Sequence, residues 1–280
     1  MKKHNSFCIC PLASGSRGNA VLVSTPETAI LVDAGLSGKE IQRRMAAVGE
    51  TPERLSAIII THEHRDHIQG AGVLGRRFNI PVYMTKATYQ ACEKVVGKIP
   101  DLKWFGCGES FTIQKGNSIK DEKMSDASLL TVHPFSTSHD ASDPAGLTLT
   151  WQGCKIGIAT DLGIATNLVK AHLHNCSVLY LESNHDPDML INGSYPWHLK
   201  QRIKSRTGHL SNADAGVLLS QLVHKDLKHV VLAHLSEENN RPEHALAAAG
   251  RCLNGSSTIL SVARPDRPGE IIRISADISV

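Results

Sequence analysis

The chain has 280 residues, of which 41% are hydrophobic and 20% are charged, and its formal net charge is +3 at pH 7. This length and composition can bury a sizeable core and are typical of one large α/β domain or two small ones. The small charge does not by itself indicate a polyanionic partner, and the absence of any apolar run of about 20 residues argues against a membrane protein.

The cysteines are odd in number and scattered, with no Cys-x-x-Cys pair and no disulfide-like framework. They are Cys8, Cys10, Cys92, Cys107, Cys154, Cys176 and Cys252. This usage indicates a reducing compartment. The first residues, MKKHNSFCICPLASGS, hold an apolar stretch too brief for a secretory signal, so we expect a cytoplasmic protein.

Short strand-like and helix-like segments alternate along the first part of the chain. In chain order the pattern predicts the strands SFCICPLA and AVLVSTPETAILVDAG, the helix SGKEIQRRMAAVG, the strand and loop LSAIIITHEH, the helix IQGAGVLGRRFN and the strand IPVYMT. This alternation favours a β-rich α/β fold.

The second part of the chain continues with strand-like segments that each end near polar residues. They are GESFTIQ, LLTVHPFSTSHD, AGLTLTWQG, CKIGIATDLG and CSVLYLESNHD, followed by the helix NADAGVLLSQLVH and the strand HVVLAHLS. Residues 115–128 are polar and rich in turn formers, which predicts an exposed excursion. Because no repeat or linker divides the chain, we expect one domain over residues 1–280.

Potential metal ligands gather where the predicted strands end. They are His62, His64, Asp66 and His67 after a triple-isoleucine strand, and then His139, Asp161 and His234 after later strands. A single histidine in such a turn would usually be a solvated surface residue. Imidazoles and carboxylates in this mixture suit Zn, Mn or Fe, and seven of them exceed what one tetrahedral ion can use. Two ions that share a carboxylate would use them all.

The H-x-H-x-D-H signature, preceded by LVDAG and followed by single His, Asp and His residues, resembles the metallo-β-lactamase superfamily. The resemblance spans nearly the whole chain and implies an α/β fold, the αββα four-layer sandwich, with a metal pair at one edge. The stretches LASGSRGNA, FSTSHDASDPAG, LESNHD and LAHLSEENN are further similar to the YycJ- or WalJ-type branch of bacterial DNA exonuclease-like hydrolases. We find no β-CASP insertion.

The resemblance assigns a role to each candidate ligand. It implies that His62, His64 and His139 bind one ion, that Asp66, His67 and His234 bind a second, and that Asp161 bridges the two. It also implies that Asp33 orients the histidine loop without binding metal, although a turn-forming Asp before Gly35 explains the same residue.

The implied cofactors are two divalent ions, Zn or Mn, with Fe also possible. Attack by a metal-bridging hydroxide, oriented by Asp66, would cleave a phosphodiester. We therefore expect a nuclease, a 5′→3′ exonuclease that prefers DNA to RNA. Thioester or lactone hydrolysis of the glyoxalase II or lactonase type remains an alternative, as does a redox or metal-binding module without hydrolytic activity. The oligomeric state stays open.

The segment SYPWHLKQRIKSRTGHLSN bears on the substrate. The spacing of Lys200 and Lys204 predicts a basic helix that continues through Arg206 and ends beside His209, although such a charge run is often only a solvated face. The helix favours phosphate binding by these two lysines. Tyr195 and Trp197 could stack on bases, but we expect them to pack the helix.

The GHL stretch resembles a GHS or GHT stretch of the superfamily's nucleases, whose His contacts the scissile phosphate or donates a proton. This implies a catalytic role for His209. Ser211 and Asn212 are N-cap candidates for the next helix, whose backbone N–H groups could hold a phosphate. His185 is a second candidate for phosphate contact or general acid.

Overall fold

The computed structural model describes residues 6–114, 129–253 and 255–275, so the predicted excursion at 115–128 lies outside the described residues. The strands are β1 Ser6–Ala13, β2 Ala20–Ser24, β3 Ala29–Val32, β4 Leu55–Ile59, β5 Val82–Met84, β6 Leu102–Trp104, β7 Phe111–Ile113, β8 Leu130–Ser136, β9 Ala145–Trp151, β10 Cys154–Ala159, β11 Val178–Glu182, β12 His229–Ala233, β13 Ile259–Val262 and β14 Ile272–Ser275. The helices are α1 Gly38–Ala47, α2 Arg65–Ile68, α3 Ala71–Phe78, α4 Lys86–Val96, α5 Asn167–Leu173, α6 Pro187–Asn192, α7 Trp197–Ile203, α8 Asn212–Leu222 and α9 Pro242–Cys252.

Two sheets carry these strands. The first has the order β14-β1-β2-β3-β4-β5-β6 and the second the order β13-β12-β11-β10-β9-β8-β7. Strands β3 to β6 run parallel to one another in the first sheet, and β10 to β13 do so in the second. Loops that follow the parallel strands of one sheet leave from the same edge, which is where α/β folds build their sites.

Side chains that alternate along each strand fill separate layers of the core. Ile30 and Val32 of β3 belong to the cluster between the two sheets, whereas Leu31 faces the helices on the outer side of its sheet. On the second sheet, Tyr180 of β11 lies in the central cluster and Leu181 in the outer one. The layers are therefore helix, sheet, sheet and helix, as the predicted αββα fold requires.

The predicted helix IQGAGVLGRRFN is broken in the structure, since α2 ends at Ile68 and α3 begins at Ala71. Gly70 lies in the break and its N–H donates to the carbonyl of Ala34 at 2.7 Å. A Cβ at Gly70 would lie 2.5 Å from the carbonyl oxygen of Leu36. The chain bends here because it packs closely against the segment that follows β3.

The basic helix is also shorter than predicted. Helix α7 ends at Ile203, and the chain then turns back so that the N–H of His209 donates to the Ile203 carbonyl at 2.9 Å. Arg206 therefore lies beyond the helix. The expectation that Trp197 packs against the helix was wrong, because this side chain is 68% exposed.

Two further observations concern the cysteines and the helices. The cysteines all lie among the described residues, and none forms a disulfide. Within residues 6–114, 129–253 and 255–275, no helix combines the length and apolar character needed to cross a bilayer.

Candidate metal centre

The candidate site lies where strands of both sheets end. Asp33 follows β3, Asp161 follows β10 and His234 follows β12, and their φ angles are 60°, 55° and 55°. Residues other than glycine rarely adopt this left-handed region, and they keep it only where neighbouring contacts hold them. The backbone N–H of Asp33 donates to the Ile59 carbonyl at 2.8 Å, and that of His234 donates to Ser14 Oγ at 2.7 Å. These turns bring the strand ends to one edge.

The seven candidate ligands form two groups of three with one residue between them. The ligand atoms of His62, His64 and His139 lie within 4.8 Å of one another, and so do those of Asp66, His67 and His234. Asp161 forms a further group with His62 and His67. Its Oδ2 lies 3.3 Å from His67 Nε2, and its Oδ1 lies 3.6 Å from His139 Nε2. These two groups contain the same residues as the two ligand sets that the resemblance implies.

Asp33 orients two of the imidazoles. Its Oδ2 accepts a hydrogen bond from His67 Nδ1 at 2.8 Å, and its carboxylate also accepts from the Thr61 hydroxyl at 2.9 Å. Since that hydroxyl donates to Asp33, its oxygen accepts from His62 Nδ1, 3.0 Å away. Both rings therefore carry their proton on Nδ1 and present Nε2 to the cluster.

Two other imidazoles are fixed in the same way from the second sheet. His139 Nδ1 donates to the carbonyl of Gly208 at 3.1 Å, and His234 Nδ1 donates to Glu182 Oε1 at 2.9 Å. His64 differs, because the nitrogen that lies 3.2 Å from His139 Nε2 is its Nδ1. Protein groups thus select the tautomer of four imidazoles, as in metal sites whose ligands are held by outer hydrogen bonds.

Two atoms of the cluster test whether a metal fits. Among the described residues, His62 Nε2 and Asp161 Oδ2 are buried and have no hydrogen-bond partner. Buried polar atoms are nearly always satisfied, so each such orphan requires a reason. A divalent cation would satisfy both, and nitrogen and oxygen donors are the set that Zn, Mn and Fe accept. The residues therefore fit a metal centre.

The charges within the cluster compensate one another. Burial alone would raise the pKa of Asp161, but His234, His67 and the other nearby imidazoles lower it well below its usual range. Burial alone would lower the pKa of His67, but the carboxylates of Asp33 and Asp161 raise it well above its usual range. A bound cation would replace protons that these imidazoles otherwise hold.

Glu182 is a residue that the sequence analysis missed. It is fully buried at the end of β11, where Oε1 accepts from His209 Nδ1 at 2.8 Å and from His234 Nδ1 at 2.9 Å. Its Oε2 accepts from the backbone N–H groups of Leu162 and Leu210 at 2.9 and 3.0 Å. Burial opposes ionisation, but His209 and His234 lower the pKa of Glu182 to about 2. One carboxylate thus holds two imidazoles.

Asn19 was also missed, and it fixes Asp66. Its Nδ2 donates to the Gly15 carbonyl and to Asp66 Oδ2, both at 3.2 Å. The backbone N–H of Asn19 donates to the Asp66 carbonyl at 2.7 Å. The available sequence signal was weak, a lone Asn after two turn glycines in GSRGNA.

The two histidine candidates for catalysis differ in exposure. The side chain of His209 is 20% exposed and lines an open cavity of about 330 Å³ together with His64, Asp66, His139 and other cluster residues. His185 is buried, and burial lowers its pKa to about 4. An imidazole with so low a pKa is a poor general acid near neutral pH, so we assign that role to His209.

Ser211 and Asn212 have structural roles at the start of α8. Ser211 caps α8, since its Oγ accepts from the N–H of Asp214 at 3.1 Å and donates to the Asp214 carboxylate at 2.6 Å. The backbone N–H of Asn212 donates to the His185 carbonyl at 2.8 Å, and its side chain bonds to Ser183 at 2.6 Å. These contacts hold the loop before α8 in place, and we do not carry either residue forward as a phosphate ligand.

The two lysines also lie outside the cluster's cavity. Lys200 Nζ donates to the carbonyls of Ile191 and Gly193, both at 2.7 Å, and so closes the end of α6. Lys204 lines a separate cavity beside Lys170 on the other side of the 204–210 segment. We therefore propose neither lysine as a ligand of the scissile phosphate.

Comparisons with known proteins establish the family of the chain. Residues 28–235 match the model of the β-lactamase superfamily domain. The chain belongs to the metallo-β-lactamase superfamily. It is 37% identical over 243 residues to exodeoxyribonuclease YycJ of Bacillus anthracis, covering 86% of this chain and 87% of that protein. It is 38% identical over 236 residues to exodeoxyribonuclease WalJ of Streptococcus pneumoniae, covering 84% of this chain and 83% of that protein.

A solved structure supports the fold. The metallo-β-lactamase fold protein YhfI from Bacillus subtilis has a TM-score of 0.71 at 16% identity, covering 96% of this chain and all of that one. The family and fold predictions are confirmed. Metallo-β-lactamase superfamily proteins are metal-dependent hydrolases that typically bind divalent metals, and this chain is an enzyme of that class. The alternative of a non-hydrolytic module was therefore wrong.

We expect Gly35→Ala to destabilise the metallo-β-lactamase site. A Cβ at position 35 would lie 1.6 Å from the Asp66 carbonyl oxygen, which is backbone and cannot swing aside. The loop that carries Asp66 would have to move, at a cost of about 3 kcal/mol in the free energy of unfolding. Thermal unfolding and metal content after dialysis measure the effect. Gly250→Ala is the matched control, because nothing lies within 4 Å of a Cβ there, and equal stability of the two variants would contradict the prediction.

Proposed function

We propose that this hydrolase is a phosphodiesterase that removes nucleotides from DNA ends in the 5′→3′ direction. The observation that carries the proposal is the open cavity lined by five of the seven metal-ligand candidates and by an imidazole held by a buried carboxylate. Its support beyond geometry is that both curated relatives compared above are named exodeoxyribonucleases and match over most of their length.

The proposed cofactors are two divalent ions, Zn or Mn. His62, His64 and His139 would hold one ion and Asp66, His67 and His234 the other. Asp161 would serve both, because its two oxygens face His67 and His139 of the different groups. When bound, such ions supply an activated water nucleophile and stabilise negative charge at the phosphoryl group.

The side chains around the ions would orient the water and the substrate. Asp66 is held by Asn19, which fixes its carboxylate at the floor of the cavity, where it can accept a hydrogen bond from the attacking water. His209 Nδ1 donates to Glu182, so its other nitrogen is the one available to the cavity. We assign His209 the transfer of a proton to the leaving alkoxide, a step in which a placed acid contributes typically 10²–10⁴-fold.

His209→Ala tests that assignment. We expect turnover of DNA to fall at least about tenfold while metal content stays at the wild-type value, because the variant removes the proton donor and leaves the proposed ligands intact. Metal analysis and the steady-state rate are measured on the same preparation. A wild-type rate would show that His209 is not the proton donor.

The cellular setting is also part of the proposal. We propose a cytoplasmic enzyme, because its seven cysteines form no disulfide and so suit a reducing compartment. We also propose that the αββα sandwich acts as one domain without a β-CASP lid.

The proposed function is tested with several substrates in one assay. The chelator-treated protein is reloaded with Mn or Zn and given 5′-phosphorylated single- and double-stranded DNA, RNA, bis-p-nitrophenyl phosphate and S-lactoylglutathione. DNA labelled at the 5′ or the 3′ end reports the direction of cleavage. His64→Ala, which loses a proposed ligand, is the inactive control.

Each result has a distinct meaning. We expect stepwise release of nucleotides from the 5′ end of DNA, abolished in His64→Ala. Faster degradation of RNA than of DNA would overturn the substrate preference, and release from the 3′ end would overturn the direction. Turnover of the thioester with intact nucleic acids would establish the glyoxalase II alternative instead.

A further inference from the structure

A second cavity adjoins the one over the metal-ligand cluster. It has a volume of about 260 Å³, and we name it the α7 cavity because one of its walls is formed by helix α7 and the residues before it. Ser16, Arg202 and His209 line both cavities. A ligand with one group over the cluster can therefore place its next group in the α7 cavity.

The wall on the α7 side is largely apolar. Tyr195, Leu199 and Ile203 line it, and each is only partly buried, so they present aromatic and aliphatic surface to whatever enters. An aromatic side chain such as that of Tyr195 can stack on a nucleobase irrespective of sequence. The α7 cavity thus offers a surface for a flat ring beside the reaction centre.

The opposite wall is polar and rigid. Asn184 and Ser236 line it, and Asn184 Nδ2 donates to the backbone carbonyl of His234 at 2.8 Å. The backbone N–H of Ser236 donates to the Asn184 carbonyl at 2.7 Å. These hydrogen bonds tie the α7 cavity to the backbone of a proposed metal ligand, so that the two cavities keep their relative position.

Arg202 stands at the boundary between the cavities. Its Nε donates to Asp140 Oδ2 at 2.6 Å, and Asp140 is the residue next to His139 in the chain. In the described part of the chain the guanidinium makes no other hydrogen bond, and its side chain is 60% exposed. Its two terminal amino groups therefore remain able to donate to a phosphate in a fixed orientation.

We propose that the α7 cavity receives the nucleoside of the terminal nucleotide, with Arg202 donating to the scissile phosphate on the 3′ side of that nucleoside. The proposal rests on the proposed function and specifies the substrate unit that the same site takes. Cavities that enclose a whole drug-sized ligand measure roughly 300–1,000 Å³, so the α7 cavity is small enough to select one nucleoside and not a base pair. The expected product is a mononucleotide from a single-stranded end.

The experiment fills the α7 cavity and leaves the cluster untouched. Leu199→Trp puts a bulky side chain into the cavity, and His198→Trp adds the same side chain to an exposed position of the same helix. Binding of thymidine 3′-monophosphate and of inorganic phosphate is measured by calorimetry on the metal-loaded protein. We expect Leu199→Trp to weaken binding of the nucleotide at least tenfold and to leave binding of inorganic phosphate unchanged, with His198→Trp like the wild type.

Two other variants guard against a folding defect and test the arginine. Tyr195→Ala removes part of the stacking surface without adding bulk, and we expect it to weaken nucleotide binding in the same direction. Arg202→Gln should weaken binding of the nucleotide and of inorganic phosphate alike, and should raise KM for DNA with a smaller change in kcat.

The outcomes separate this inference from the proposed function. If the wild type degrades DNA but Leu199→Trp binds thymidine 3′-monophosphate as tightly as His198→Trp does, the inference fails and the proposed function stands. Equal affinity of the wild type for the nucleotide and for inorganic phosphate would also overturn it. If the wild type leaves DNA intact, the proposed function fails and the inference fails with it.

Discussion

Asp161→Asn is expected to lower the metal content from the two ions per chain proposed above to one or none and to abolish phosphodiester hydrolysis. Asp161 is buried between the two ligand groups, and its Oδ2 has no hydrogen-bond partner among the described residues. An amide keeps the shape of the side chain but removes the negative charge that would balance the positive charge of two bound cations. Mutation of a residue that only supports a metal ligand typically costs about 10- to 100-fold in activity. The loss of turnover in Asp161→Asn should be larger.

The choice of asparagine separates the metal effect from a backbone effect. The φ of Asp161 is 55°, a region that asparagine tolerates and alanine does not favour. Asp161→Ala should therefore lose metal and also lower the thermal unfolding temperature more than Asp161→Asn does. Metal is measured by elemental analysis after dialysis, and the exposed Asp226→Asn serves as the matched control. Unchanged metal stoichiometry in Asp161→Asn would rule out the shared position of Asp161.

The sequence predicted best where short-range patterns determine the structure. His62, His64, Asp66 and His67 follow directly on β4, and their spacing alone placed them in one loop. The alternation of apolar residues also predicted most strands and a β-rich α/β fold, whereas the four layers were implied by the resemblance to the metallo-β-lactamase superfamily. Both signals are local, because a strand needs only its own run of residues and a ligand loop only its own spacing.

The sequence predicted less well where distant segments meet. The break at Gly70 depends on carbonyls of Ala34 and Leu36, which no local pattern in the helix reveals. The end of α7 depends on the turn that returns His209 to Ile203. Lys200 looked like a phosphate ligand, yet its ammonium group closes α6. In each case tertiary contacts decide the outcome.

Glu182 shows a signal that was present but passed over. Like Asp33, Asp161 and His234, it marks the end of an apolar strand, here in the segment VLYLE. The nearby His185 drew attention instead, as a candidate for phosphate contact or general acid, and burial lowers its pKa to about 4. A charged residue at the end of an apolar strand next to other such strand ends is therefore informative even when it stands alone.

Glu182→Gln is expected to remove an ion and slow turnover, although Glu182 lies behind the proposed ligands. Two backbone N–H groups donate to Oε2 of the wild-type carboxylate, so the amide oxygen of the glutamine has to stay there. The amide NH₂ then faces Nδ1 of His209 and of His234, where Oε1 accepts in the wild type. An NH₂ group donates, so both rings must move their proton to Nε2.

That change of tautomer reaches the proposed metal site directly. With a proton on Nε2, His234 no longer presents a lone pair to the ion that it would share with Asp66 and His67. A wrong tautomer beside an intact geometry can cost up to about 10⁴-fold in turnover. We expect a fall of about 10²- to 10⁴-fold for Glu182→Gln, together with loss of one ion from the protein.

The comparison with His209→Ala separates the two roles of Glu182. His209→Ala removes one of the two imidazoles that Glu182 holds and should keep both ions, whereas Glu182→Gln should lose one. Adding excess metal should then restore part of the activity of Glu182→Gln and none of that of His209→Ala, because only the first variant lacks an ion. Glu93→Gln, on the exposed face of α4, is the control for the same chemical change. If Glu182→Gln keeps both ions and turns over at the rate of Glu93→Gln, Glu182 does not set the tautomer of His234, and its carboxylate serves only the two backbone N–H groups.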